Sequence, residues 1–173
     1  MSSEQKFILT GDLNFMGLGD AKHVFERIRS ELCAADAVIS NLECCFFADE
    51  SKANNQSCTG HFYERSGQRE GFYANPAAVK ALKSANITMV GNANNTNFGD
   101  EAIRSTISVL NDQQIAFSGV GTNWEEACKP AFKTIHGIRV GLIQRTSVYW
   151  PSNHEASALH PGVATVKIHT AYS

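Results

Sequence analysis

The chain has 173 residues, of which 43% are hydrophobic and 18% are charged, and its formal net charge is -2. This length suits a single domain with a substantial core, and the hydrophobic share is typical of a globular protein and not of a disordered chain. The charge gives no indication of nucleic acid or an anionic membrane as a partner, and no apolar run approaches the roughly 20 residues that cross a bilayer. The polar segment 1–6 lacks the pattern of a secretory signal, so we expect a cytoplasmic protein.

The five cysteines are odd in number and irregularly spaced, which fits neither a disulfide framework nor a structural zinc site. The adjacent residues Cys44 and Cys45 are compatible with a redox-active pair or with buried free thiols. Because free cysteine is among the residue types most often buried, we favour buried thiols.

Strand and helix signals alternate along the N-terminal part of the chain. Short buried strands are predicted at residues 7–10, 37–40, 87–90 and 115–117. The helix markers between them are Asp20 as a cap with Val24, Phe25, Ile28 and Leu32 on one face, Asn75 as the cap of residues 77–85, and Asp100 at the start of a third helix. Residues 49–71 are polar and predict a long surface loop. The alternation favours parallel strands, so we predict an α/β fold with a parallel or mixed sheet and helices.

The pattern changes after residue 121. Thr122-Asn123-Trp124-Glu125 has the form of a capping box and predicts the start of a short helix. The apolar runs 131–135 and 138–143 flank His136-Gly137, which predicts a β-hairpin. A last strand is predicted at residues 163–169.

Polar residues follow the predicted strands, at the positions where ligands bind in parallel α/β sheets. These segments are residues 12–14, 41–43 and 92–97, together with a glycine turn at 119–121. Trp124 stands where a dinucleotide-binding fold needs a third small residue, which argues against dinucleotide binding at the glycine turn.

Six of these side chains form a candidate metal site: Asp12, Asn14, Asn41, Glu43, Asn94 and Asn95. Carboxylate and amide oxygens are hard donors that suit manganese, magnesium or iron. Two acids at the ends of separate parallel strands can face one point, where a cation would offset their repulsion. The alternative is that Asp12 and Asn41 only form turns and cap helices, as these residue types often do.

Among the histidines, His154 is a candidate for a functional role. It follows Trp150-Pro151-Ser152-Asn153, a polar segment with an aromatic flank. A role as a ligand or in proton transfer and a purely structural role are both compatible with this position.

Several segments match a known family in the same order along the chain. They are Gly11-Asp12-Leu13-Asn14-Phe15-Met16-Gly17, Ser40-Asn41-Leu42-Glu43, Gly71-Phe72-Tyr73-Ala74, Asn92-Ala93-Asn94-Asn95, Gly119-Val120-Gly121 with Glu126-Ala127, and the segment from Gln144 to Ala156. Together they resemble the CapA family, which is linked to poly-γ-glutamate and capsule synthesis and is similar in fold to the calcineurin-like metallophosphoesterases. The resemblance runs from about Phe7 to Tyr172.

The resemblance implies roles for the residues at the strand ends. Asp12 corresponds to the first metal carboxylate, Glu43 to the acid on the second strand and Asn95 to the asparagine ligand. In such folds two divalent metals polarise a phosphoryl group and activate a water. The expected metal ligands are therefore Asp12, Asn14, Glu43 and Asn95, the expected metal is manganese, magnesium or iron, and the expected catalytic residues are Asn94 and His154.

The sequence departs from the family pattern in two ways. Thr96 stands where the family usually has a histidine, and a hydroxyl cannot act as a general acid near neutral pH. No His-x-His segment occurs, whereas the family has one in its C-terminal portion. We therefore expect residues 1–173 to form a single CapA-like domain truncated at its C-terminus, half of an α/β/β/α sandwich with an incomplete metal site. The sheet surface that such a half leaves uncovered predicts self-association.

The predicted function is that of a CapA-like protein of poly-γ-glutamate or capsule biosynthesis with metal-dependent phosphoester hydrolysis. Its expected ligand is a phosphorylated small molecule or an acidic polymer. The alternative is a non-catalytic assembly or binding component that retains the fold without an intact metal centre. The acids at the strand ends favour the first function, and Thr96 favours the second.

Overall fold

The computed structural model describes residues 4–48, 72–149 and 154–167, and these residues form a mixed α/β structure. In chain order its elements are β1 (Phe7–Leu13), α1 (Arg29–Cys33), β2 (Ala37–Leu42), β3 (Cys45–Phe46), β4 (Tyr73–Ala74), a 3-10 turn (Pro76–Ala78), α2 (Val79–Ser84), β5 (Ile87–Gly91), α3 (Asp100–Asp112), β6 (Ala116–Ser118), β7 (Val120–Gly121), α4 (Trp124–Ala127), β8 (Ala131–Ile135), β9 (Ile138–Leu142) and β10 (Gly162–Val163). The predicted loop at residues 49–71 lies outside the described residues.

The central element is a four-stranded parallel sheet in the order β1-β2-β5-β6. Asp12 is the register partner of Asn41, and Asn41 is the register partner of Gly91, so three neighbouring strands end at the same level. The predicted α/β fold with a parallel sheet is confirmed. Because parallel strands share one carboxyl edge, the polar segments that follow β1, β2 and β5 lie side by side.

The largest core cluster packs between this sheet and the elements that connect its strands. Val38 and Leu42 of β2 and Val90 of β5 contribute to it from the sheet, and Leu82 of α2 and Leu110 of α3 from the helices. Asn75 caps the turn before α2 as predicted, because its side-chain oxygen accepts a hydrogen bond from the Ala77 amide at 2.9 Å. Within the described residues no helix is both long enough and apolar enough to cross a bilayer.

The helix predicted from Asp20 to Leu32 is wrong over most of its length. Only Arg29–Cys33 is α-helical, and residues 22–28 form successive turns. Backbone bonds in these turns span three residues, so the chain is wound more tightly than an α-helix and residues four apart no longer share a face. Val24 and Ile28 are consequently 46% and 49% exposed, whereas Phe25 and Leu32 are buried.

The short helix α4 begins one residue later than predicted. Asn123, and not Thr122, is its N-cap, and the Asn123 side chain accepts a hydrogen bond from the Glu126 amide at 2.9 Å. The Glu126 carboxylate reaches back to the Thr122 amide at 3.1 Å and also accepts a hydrogen bond from the Thr122 hydroxyl. The forward bond of a capping box is present from Asn123, whereas the Glu126 carboxylate bonds to the residue before the N-cap and not to the N-cap amide.

The C-terminal strands agree with prediction only in part. Strands β8 and β9 form the predicted antiparallel hairpin, and its turn residues His136 and Gly137 have φ angles of 46° and 84°, as a tight hairpin turn requires. The last strand is shorter than predicted: only Gly162–Val163 is regular, and it pairs with β7 and not with the central sheet. Residues 168–169 of that prediction lie outside the described residues.

The interpretation of Cys44 and Cys45 as buried free thiols is confirmed. Burial raises the pKa of each thiol to about 12, so both remain protonated at neutral pH. A protonated thiol is a poor nucleophile, which does not suit a redox-active pair.

Strand β1 lies at one side of the central sheet and carries an exposed apolar side chain. Leu9 is 76% exposed, and among the described strands β1 pairs with β2 alone. An uncovered strand edge with apolar side chains is a template for pairing with another chain, so self-association stays our prediction for this protein.

We expect light scattering after size-exclusion chromatography to give a molar mass that rises with protein concentration. Leu9→Lys should move the mass towards that of the monomer, because a charge on the strand opposes edge-to-edge pairing. Leu159→Lys, at a position that is 84% exposed and outside the sheet, is the matched control and should leave the mass unchanged. A monomer mass for the unaltered chain at every concentration would contradict the prediction.

Candidate metal centre

Two acidic side chains meet at the carboxyl edge of the sheet. Asp12 is the penultimate residue of β1, and Glu43 directly follows β2. The side-chain amide nitrogen of Asn41 donates to Asp12 Oδ1 at 2.7 Å and to Glu43 Oε1 at 3.3 Å. One amide group therefore bridges the two carboxylates, and the structure brings together two of the four predicted metal ligands.

The charges of this carboxylate pair (Asp12 and Glu43) are only partly offset by the protein. Burial raises the pKa of Glu43 above its ordinary value, and the negative charge of Asp12 raises it further, while the hydrogen bond from Asn41 acts in the opposite direction. Within the described part of the chain, neither carboxylate forms an ion pair with a lysine, arginine or histidine. The pair thus has an uncompensated negative charge, which favours a bound cation.

Asn41 is itself held by two other amide side chains. Its Oδ1 accepts hydrogen bonds from Gln144 Nε2 at 2.8 Å and from Asn94 Nδ2 at 3.3 Å. Gln144 Oε1 in turn accepts a hydrogen bond from the Ala93 backbone amide at 2.7 Å. Gly91 makes room for this side chain, because a Cβ atom there would lie 2.3 Å from Gln144 Oε1.

Asn94, one of the two predicted catalytic residues, is buried and uses both ends of its side chain within the protein. Besides Asn41, its nitrogen donates to the Leu42 carbonyl at 2.9 Å. Its oxygen accepts from the Thr96 amide at 3.1 Å, the Thr96 hydroxyl at 2.9 Å and the Asn97 amide at 3.1 Å. In this arrangement Asn94 stabilises the loop after β5 and holds the Asn41 oxygen through one hydrogen bond.

The other predicted site residues lie apart from this hydrogen-bond network. Asn14 is exposed, and its Oδ1 accepts a hydrogen bond from the Met16 amide at 2.8 Å, a bond typical of asparagine in turns. Asn95 is half-buried, and among the described residues no hydrogen bond joins Asn14 or Asn95 to the carboxylate pair. Their role as ligands stays a prediction.

His154, the other predicted catalytic residue, is completely buried. Its ring meets the Phe98 ring edge to face, with centroids 5.4 Å apart and an interplanar angle of 68°. Its backbone carbonyl accepts a hydrogen bond from the Val163 amide at 2.9 Å, which fixes the chain next to β10. The structure therefore gives His154 a packing role, and its proposed part in proton transfer stays a prediction.

The donor set fits one hard divalent cation. Two carboxylates with water completing the coordination is a common arrangement for magnesium and for chemically similar ions, and the amide-oxygen ligands expected from the sequence are of the same hard type. Residues 4–48, 72–149 and 154–167 contain no cluster of three or more histidine, cysteine, aspartate or glutamate side chains that could hold a metal. Within these ranges, the carboxylate pair offers two anionic groups to a cation, and the two metals that the resemblance implies stay a prediction.

The fold and this edge define an α/β protein with a carboxylate pair where its parallel strands end. The family described as "Bacterial capsule synthesis protein PGA_cap" matches residues 5–171, so the chain belongs to this family of bacterial capsule synthesis proteins. The chain is also similar to the "Capsule biosynthesis protein CapA" of Bacillus anthracis, with 23% identity over 129 residues. That match covers 73% of this chain and 29% of the relative, so the chain spans less than a third of the relative's length. The predicted resemblance to the CapA family is confirmed.

The raised pKa of Glu43 predicts how stability depends on pH. Because its folded-state pKa lies above its unfolded value, the stability that this carboxyl contributes is fully present below the unfolded pKa and is lost as pH rises through the folded pKa. In chelator-containing buffer, Glu43→Gln should therefore gain free energy of unfolding relative to the unaltered chain between about pH 4 and pH 7. Urea unfolding at both pH values measures this difference.

Glu101→Gln, at an exposed position in the first turn of α3, is the control for this experiment and should show no comparable divergence. If Glu43→Gln changed the free energy of unfolding equally at both pH values, the pKa of Glu43 would not be raised by its surroundings.

Proposed function

We propose that this chain provides the divalent-cation site of a capsule synthesis protein and that the site acts on phosphoesters. The observation that carries the proposal is the bridging of Asp12 and Glu43 by one Asn41 amide group at the carboxyl edge of the sheet. Two acids without a cationic partner hold a divalent ion well, and the edge of a parallel sheet is where such folds bind their ligands.

In the proposed reaction Asp12 and Glu43 hold the cation, with Asn14 and Asn95 as the amide-oxygen ligands expected from the sequence. Asp12 is exposed, so the ion is accessible from solvent. A bound divalent ion polarises a phosphoryl oxygen and lowers the pKa of water. The chain's own residues keep the carboxylates together through Asn41 and keep the loop after β5 in place through Asn94.

The proposed ligand is a phosphorylated small molecule or an acidic polymer. A cation at an exposed carboxylate pair attracts anionic groups. Both of these ligand classes carry such groups and could therefore bind at the edge of the sheet. The family and the Bacillus anthracis relative are both described as proteins of capsule synthesis, which agrees with a polymer or a phosphorylated precursor as the ligand.

The surroundings of Thr96 favour a second candidate function, a non-catalytic assembly or binding component. The Thr96 side chain is buried, and its hydroxyl donates to Asn94 Oδ1 at 2.9 Å. It therefore lies inside the loop as a structural group, at the position where the family usually has a histidine. A component of this kind would keep the fold without an intact metal centre and would bind its partner without supplying a proton to a leaving group.

Isothermal titration with Mn²⁺ and a hydrolysis assay with bis(p-nitrophenyl) phosphate test the proposal on the same samples. We expect the unaltered chain to bind Mn²⁺ and to hydrolyse the diester only in its presence. Asp12→Asn should weaken Mn²⁺ binding by at least about 100-fold, because loss of outer-shell partners alone costs about 10- to 100-fold, and should abolish hydrolysis.

Asp112→Asn is the matched control, because it makes the same change at an exposed position at the end of α3. Mn²⁺ binding without hydrolysis would contradict the proposed action on phosphoesters. Equal Mn²⁺ binding by the unaltered chain and by Asp12→Asn, or no binding by either, would overturn the proposed cation site and favour the second candidate.

A further inference from the structure

We infer that Gln144 is a positioning residue that fixes the orientation of the Asn41 amide and, through it, the geometry of the carboxylate pair. Gln144 follows β9 and lies 103 residues from Asn41 in sequence, yet the two side chains are joined by a hydrogen bond of 2.8 Å. The effect of Gln144 on cation affinity rests on the proposed function, whereas its effect on the orientation of Asn41 does not.

The surroundings of Asn41 allow only one orientation of its amide. The oxygen faces two N–H donors, from Gln144 at 2.8 Å and Asn94 at 3.3 Å, and the nitrogen faces the two carboxylates. Rotating the amide by 180° would place its oxygen against two carboxylate oxygens and its nitrogen against two N–H groups. All four contacts would then be repulsive, so the hydrogen-bond partners determine which end of Asn41 faces the acids.

Gln144 is held in the same way at its other end. Its oxygen accepts from the Ala93 backbone amide at 2.7 Å, which leaves its nitrogen to donate to Asn41. The Gln144 backbone amide also donates to Ser118 Oγ at 3.3 Å, which ties this residue to β6. Because the position needs an acceptor for Ala93 and a donor for Asn41, a primary amide of this length satisfies both requirements.

Gly91, at the end of β5, leaves the space that the Gln144 side chain occupies. The three atoms nearest to a Cβ built on Gly91 all belong to the Gln144 side chain, at 2.3, 2.5 and 2.9 Å. A residue with a Cβ atom at this strand end would therefore displace the Gln144 side chain. The glycine thus allows the amide of Gln144 to lie directly over the end of β5, next to Asn41.

The orientation of Asn41 affects how tightly the carboxylate pair would bind the proposed cation. Asn41 offers its nitrogen and not its oxygen to the carboxylates, so it orients them and is not itself a ligand of the ion. Gln144 acts one step further out, through Asn41. Outer-shell partners of this kind typically change metal affinity by about 10- to 100-fold when they are removed.

Two variants of the full chain test the inference by independent routes. Gln144→Met keeps the approximate size of the side chain and removes its N–H donor, whereas Gly91→Ala keeps Gln144 and displaces it. Each should weaken Mn²⁺ binding by about 10- to 100-fold in isothermal titration. Because both act through the same contact, the double variant should bind Mn²⁺ no more weakly than the weaker-binding single variant. Gln113→Met, at the opposite end of the sheet after α3, is the control and should bind as the unaltered chain does.

Nuclear magnetic resonance relaxation of the Asn41 side-chain ¹⁵N in metal-free samples supplies a readout that does not depend on the cation. In the unaltered chain its order parameter should approach the value of about 0.85 typical of rigid backbone, and in Gln144→Met and Gly91→Ala it should fall below about 0.6. If the unaltered chain bound no Mn²⁺, the cation site would fail and the relaxation data alone would decide the role of Gln144. An Asn41 order parameter that stayed unchanged in both variants would overturn the inference, as would unchanged Mn²⁺ affinity in a chain that binds the ion.

Discussion

The two hydrogen bonds that Asn41 donates to Asp12 and Glu43 hold two like charges next to each other at the edge of a sheet. Without this donor, repulsion between the carboxylates would favour their separation, and the proposed cation site would lose its arrangement. The donor is available because the parallel register of β1 and β2 makes Asp12 the direct neighbour of Asn41. The pairing of β1 with β2 therefore determines both the contact between Asn41 and Asp12 and the concentration of negative charge at this edge.

The loop after β5 provides the support that this pairing needs. Asn97 is buried, and its nitrogen donates to the carbonyls of Leu42 and Asn92, each at 2.9 Å. Asn94 donates to the same Leu42 carbonyl, so the end of β2 is fixed by two amide side chains from a single turn. A sequence rich in asparagine thus serves chiefly to satisfy backbone groups where the strands stop, and only part of it faces the candidate ligand site.

The part of the site that follows from local pattern could be predicted from the sequence. The alternation of short apolar strands with helices predicts parallel strands, and parallel strands bring Asp12 and Glu43, which lie at the ends of β1 and β2, to one edge. The prediction of a helix from Asp20 was wrong although the apolar spacing is helical. The backbone forms tighter turns in this segment, and these turns place Phe25 and Leu32 in the core.

The position of Gln144 could not be predicted, because it depends on a contact between residues 103 positions apart. The only local signal was Gly91 at the end of a strand, where a small residue marks the close approach of another group. Asn14 and His154 were selected by residue type, and the sequence did not indicate their neighbours in the fold. The Met16 amide donates to Asn14, and the Phe98 ring packs against the His154 ring. Their roles as a ligand and in proton transfer stay predictions.

Anomalous scattering from crystals of this chain soaked in a manganese salt tests the central claim most directly. The account predicts an anomalous peak between Asp12 and Glu43, within about 2.5 Å of an oxygen from each, with the Asn41 nitrogen still facing the acids. A map without a peak at this edge, or a structure in which the two carboxylates point into different surroundings, would contradict it.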